Sequence, residues 1–311
     1  MQHLFLSPSL VVEFLLNGVI FFLMSVAFVA TLPFLSQRYK ISQSFTYSVQ
    51  KNTHLVATLL TLVLFFKLLL LPFFLYNLDK LSLFLSGAMC AAGVVSANSY
   101  GGVLVVVKLT TPLLLMLYAL LYKESQMQKS HYLSRKRHIL FIGVYMLVVI
   151  EMILSYLYYT HIPLNQTLSC CSTLYTNSSV HNRSTLSLLL PFYGVYGAIV
   201  FFTLQRKRVV VALLSLVFLY TSYEAITYFF SSYIYELPSH KCPYCILGSD
   251  YNYVGYLIYA LLFFATFYAL KDAFFKEETS YKRVLFFYTS FVFVLCYFFI
   301  HYLIKNGTFL W

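Results

Sequence analysis

Eight apolar runs, each long enough to cross a bilayer, constrain this chain more than any other feature. They are Leu10 to Phe34, Leu55 to Tyr76, Val103 to Tyr122, Ile139 to Tyr159, Leu186 to Leu204, Val209 to Phe230, Tyr253 to Leu270 and Val284 to Ile304. A bilayer's hydrocarbon core takes about 20 residues of α-helix. With no water to satisfy backbone N–H and C=O groups there, runs of this length must be helices that bond internally. The 10% of charged residues falls far below the roughly 25% of a soluble domain. The expectation is an all-α polytopic membrane protein of about eight transmembrane helices, folded as a single integral membrane domain over residues 1–311 of the plasma (inner) membrane. Met1 to Leu10 carries no basic region and no small-residue cleavage site, so the first run reads as a retained helix. The lipid bilayer is the main partner.

The formal net charge of +11 does not point to nucleic acid, because the basic residues sit in short clusters between the apolar runs. Arg38, Lys40 and Lys51 flank the first connection, and Lys123, Lys129, Arg135, Lys136 and Arg137 the third. Arg206, Lys207 and Arg208 occupy the fifth, and Lys271, Lys276, Lys282 and Arg283 the seventh. The other face holds only Lys80, Arg183, Lys241 and, after the last run, Lys305. The positive-inside bias therefore predicts odd connections in the cytoplasm, with both termini and the even connections outside.

The second connection, Leu81 to Gly102, is mildly apolar and rich in small residues around Cys90. As a ninth span it would place the basic clusters on opposite sides. It is expected to be a short outer-surface or re-entrant helix that folds back over the outer helix ends and brings Cys90 towards Cys242, its small residues allowing close packing. The fourth connection, His161 to Thr185, carries the adjacent Cys170 and Cys171 and three N-x-S/T sequons, at Asn165, Asn177 and Asn182, with a fourth at Asn306. Such sequons matter only in a host that glycosylates.

Ionisable side chains inside apolar runs are costly and so are paired or face a cavity. By depth, Lys67 of the second run pairs with Glu151 of the fourth, and Lys108 of the third with Glu13 or Glu224. Such pairs serve either as a proton route or acceptor pocket or as structural ion pairs that fix helix register.

The predicted orientation puts Cys90, Cys170, Cys171, Cys242, Cys245 and the outer half of the last helix, with Cys296, on one side. Cys242-Pro243-Tyr244-Cys245 precedes the seventh run. Its C-x-x-C spacing lets two sulfurs form a disulfide or share one metal ion. Three readings follow. The first is thiol–disulfide exchange with an extracytoplasmic thioredoxin-like or cysteine-containing partner. In it Cys242, beside Lys241 and His240, is the more exposed and reactive sulfur; Cys170 or Cys171 supplies electrons and Glu224 carries a proton. The second is metal handling, with Cu or Zn held by these cysteines and His240, His161 or His181. The third is structural disulfides.

The CPYC tetrad is similar to the glutaredoxin motif over those four residues alone. In topology the chain resembles the vitamin K epoxide reductase and DsbB type of membrane thiol–disulfide oxidoreductase. The sub-block 139–270 would supply the four helices, with Cys170 and Cys171 in the loop and Cys242 and Cys245 at the last helix start. The resemblance implies a quinone as acceptor, facing Cys245, with Cys242 exchanging with the loop pair. Adjacent loop cysteines, a short loop and four further helices depart from that pattern.

Overall fold

A computed structural model describes residues 7–36, 45–128, 131–163, 167–168, 184–238, 240–274 and 280–310. Most of the described residues are helical, with no strand among them. The principal helices are α1 (Pro8–Ser36), α2 (Phe45–Ser82), α3 (Ala91–Val95), α4 (Ser99–Gln128), α5 (His131–Thr160), α6 (Thr185–Leu204), α7 (Arg208–Tyr235), α8 (Val254–Phe274) and α9 (Ser280–Asn306). All but α3 are long and apolar enough to span a membrane. Each expected run therefore lies in its own spanning helix, and the second connection holds the expected short helix.

Local chemistry fixes several helix ends. Pro8 opens α1, where its missing N–H costs nothing. The Ser184 hydroxyl caps α6 by accepting from the Ser187 N–H. The α6–α7 turn is so short that Arg206 adopts a left-handed φ of 57°. Glu236, also left-handed at φ 56°, closes α7. A π-helical turn at Ile226–Phe230 interrupts α7 just after Glu224.

The chain divides into two compact units. Unit 1 is Met1–Asn77 with Val95–Asn165, and unit 2 is Leu78–Val94 with Gln166–Trp311. In unit 1 the core is built by α1 (Ile20, Met24, Ala27), α2 (Val56, Leu60, Val63, Leu70), α4 (Leu115, Tyr118) and α5 (Phe141, Val144, Val148). In unit 2 it is aromatic: Phe192 of α6 stacks on Phe218 of α7 with ring centroids 5.3 Å apart, and Phe291 of α9 lies 5.9 Å from Phe218. Such ring pairs add to the dispersion that holds helices together in lipid.

The range 139–270 thus includes residues of both units. The spanning helices grouped with the CPYC segment are α6, α7, α8 and α9, while α5 groups with unit 1. Helix association in a bilayer follows side-chain packing, because lipid tails are as apolar as the helices themselves. Chain order alone does not select the partners.

Candidate functional site

The CPYC segment lies between α7 and α8 in unit 2 and is held by its backbone. The Tyr235 hydroxyl, at the end of α7, donates to the carbonyl of Cys242. The Tyr259 hydroxyl, one turn into α8, donates to the carbonyl of Pro243 at 2.5 Å. Cys245–Leu247 then forms a single 3-10 turn, with the Leu247 N–H on the Tyr244 carbonyl at 2.9 Å. Gly255 of α8 accommodates this turn: a Cβ there would lie 2.8 Å from the carbonyl oxygen of Ile246. Both tyrosines satisfy carbonyls that have no ladder partner in so tight a turn.

Cys90 reaches this segment from 152 residues away in sequence, its Sγ 3.6 Å from that of Cys242. The sulfurs of Cys90, Cys242 and Cys245 all lie within 4.8 Å of one another. The Cys90–Cys242 separation is a thiol contact, well beyond the 2.05 Å or so of a disulfide. The Tyr244 N–H points at the Cys242 sulfur at 3.4 Å, which favours negative charge on it. Burial, then the neighbouring Tyr223 hydroxyl and the sulfurs of Cys242 and Cys90, push the Tyr244 phenol well above its ordinary range, so it stays neutral. Burial, then Cys245 and Asp250, raise Tyr251 likewise.

Cys90 approaches through a fixed loop. The Leu168 N–H donates to the Ser86 carbonyl at 2.8 Å. Next to it Gly87 has φ +85°, and a Cβ there would run into the Leu168 backbone. Only glycine meets both demands.

Cys242 is fully buried at 0% exposure, whereas Cys245 is partly exposed. This corrects the expectation that Cys242 is the more exposed sulfur. Its polar sequence neighbours do not set its exposure, because the turn directs its side chain into the core beside Cys90 and Ile246. Burial also lowers the Lys241 amine below its ordinary value.

Among the described residues no histidine or carboxylate joins the three sulfurs. The His240 ring instead packs edge-on against Tyr235, with centroids 4.5 Å apart. His161 bonds the Leu157 carbonyl of its own helix at 2.9 Å. Glu224 is buried and accepts from the Tyr220 hydroxyl one turn earlier, at 2.6 Å. Cys296 contacts the Tyr193 hydroxyl at 3.3 Å. Cys170, Cys171, His181 and the sequon residues Asn165, Asn177 and Asn182 lie outside the described residues. The roles of Tyr235, Tyr259 and Gly87 carried no sequence signal, since a chain with 29 tyrosines and 11 glycines singles out none of them.

The intramembrane charges of unit 1 pair as their depths predict. Lys67 Nζ lies 2.7 Å from Glu151 Oε1. Lys108 Nζ lies 3.2 Å from Glu13 Oε1, and it also reaches Glu151 Oε1 at 3.4 Å, joining the two pairs into one set. Comparison with protein-family models, curated proteins and solved structures finds no match to this chain.

Proposed function

We propose that this membrane protein holds a soft metal ion, Cu(I) or Zn(II), on the thiolates of Cys90, Cys242 and Cys245. The observation that carries the reading is the third sulfur. Three thiolates about 2.3 Å from one ion stand about 4 Å apart from each other, and these three lie within 4.8 Å, the nearest pair at 3.6 Å. A protein-thiol exchanger needs one exposed nucleophile and one resolving partner. It does not need a buried third thiol from a distant segment. The Tyr244 N–H and the backbone clamps of Tyr235 and Tyr259 suit a preorganised thiolate site. Through partly exposed Cys245 an ion would enter or leave.

The test is metal analysis and thiol counting on protein purified without added chelator. A stoichiometric Cu or Zn, with Cys242 and Cys245 reduced, supports metal handling. A metal-free protein with a Cys242–Cys245 disulfide overturns it.

One observation favours the redox reading: the Cys90–Cys242 separation of 3.6 Å also suits internal thiol–disulfide exchange. In that reading a Cys242–Cys245 disulfide forms as two thiols give two electrons and two protons to a quinone-like acceptor. Cys90 exchanges with Cys242, and Cys245 is the sulfur within a partner's reach. Trapping of a mixed disulfide in Cys245→Ser would favour this reading.

A further inference from the structure

Unit 1 holds four buried charged side chains in one connected set. Glu13 comes from α1, Lys67 and Asn77 from α2, Lys108 from α4, and Glu151 and Tyr159 from α5; Glu13, Lys67, Lys108 and Glu151 are each at most 6% exposed. Two ammoniums and two carboxylates leave the set neutral. Glu13 is saturated: Oε1 accepts from Lys108 at 3.2 Å, and Oε2 accepts from Asn77 at 2.9 Å and Tyr159 at 3.2 Å. Lys108 also lies over the Phe74 ring, 4.5 Å from its centroid. Lys67 donates to Glu151 and, at 3.4 Å, to the side-chain oxygen of Asn17.

Glu151 is lopsided. Its Oε1 accepts from both lysines, while its Oε2 is buried with no hydrogen-bond partner among the described residues. The Asn77 Oδ1 is buried and unpartnered in the same way. A purely structural ion pair gains by closing every acceptor, because a bare buried oxygen keeps its desolvation cost. Both open atoms are acceptors, so each calls for a species that brings hydrogen. A metal cation is disfavoured by two ammoniums within 3.4 Å of the same carboxylate.

We propose that Glu151 is an intramembrane proton-binding site, with Lys108 as the group that follows the charge. One proton, given up by a hydronium ion whose O–H bond breaks to leave water, forms an O–H bond at Oε2; no electrons are transferred. The set changes from neutral to +1. Glu151 Oε1 then attracts cations less, and Lys108 shifts its hydrogen bond towards Glu13, where it already bonds. The charged and titratable groups facing Glu151 are Lys67 from α2 and Lys108 from α4, with Glu13 from α1 and Tyr159 from α5 behind Lys108. Tyr159 is one residue from the end of α5, and eight residues along a helix span about 12 Å. The chain Tyr159–Glu13–Lys108–Glu151 therefore joins the helix end to the interior by contacts of 3.4 Å or less.

The experiment is infrared difference spectroscopy of the full chain in lipid nanodiscs on acidification, in water and in D2O. A protonated-carboxyl stretch that shifts in D2O, disappears in Glu151→Gln and persists in Glu13→Gln is expected. No band lost in Glu151→Gln while helicity is intact, or a band lost in Glu13→Gln alone, overturns the proposal. Should Glu151→Gln not fold, Glu151→Asp serves: the band moves if it belongs to this carboxyl, and an unmoved band overturns the assignment. The site shares no residue with the thiol cluster, so its fate is independent of the metal reading.

Discussion

Cys242 shows how far a side chain's surroundings can depart from those of its sequence neighbours. It follows Lys241, yet it is fully buried beside Cys90. If the three sulfurs share a metal, Cys90→Ser, Cys242→Ser and Cys245→Ser should each weaken binding by at least about 10-fold, since even loss of an outer partner costs that much. Cys296→Ser should leave it unchanged; equal effects of all four in a competitive chelator titration would remove the triad. Because a thiol must lose its proton to bind, affinity should fall as pH falls, and a pH-independent titration would contradict thiolate ligation. Gly87→Ala is expected to destabilise by about 1–3 kcal/mol from its left-handed backbone alone, with the clash at Leu168 added. A denaturation midpoint in detergent equal to wild type would show that the Ser86–Leu168 tie is dispensable.

Between elements, buried charge holds the helices of unit 1 in register, whatever proton it carries. Lys67→Met leaves Glu151 without its nearest cation, and breaking a buried pair from one side costs about 3–5 kcal/mol. The double variant Lys67→Met with Glu151→Leu should be less destabilised than Lys67→Met alone, because no buried charge loses its main partner. A denaturant-unfolding cycle in micelles measures this, and strictly additive effects would mean that the two side chains are not coupled. In unit 2 the corresponding work is done by rings, Phe192, Phe218 and Phe291, which fix spacing without fixing charge.

For the whole molecule, eight spanning helices follow from length and hydropathy, and the orientation is a proposal from the basic clusters. We expect a reporter active only in the cytoplasm to signal when inserted in the Gln205–Lys207 turn and to stay silent when fused after Trp311. The reverse pattern would put the thiol cluster on the cytoplasmic side, where thiols stay reduced and a disulfide mechanism loses its setting.

The sequence alone determined which residues enter the membrane, because burial of apolar length in lipid depends on composition within each run. It also determined the depths that set Lys67 against Glu151 and Lys108 against Glu13 or Glu224, since depth follows from position along a helix; the structure selects Glu13 for Lys108 and adds Glu151. The C-x-x-C spacing that offers two adjacent ligands was equally local. The approach of Cys90 to Cys242 was also expected, from the small-residue run around Cys90. Only the tertiary structure decided that α6 to α9 group together with the segment Leu78–Val94, and that Cys242 is buried while Cys245 is not. Lipid gives helices no hydrophobic reason to prefer one neighbour to another. That choice falls to the fit of rings, glycines and small residues across the chain, which no local pattern records.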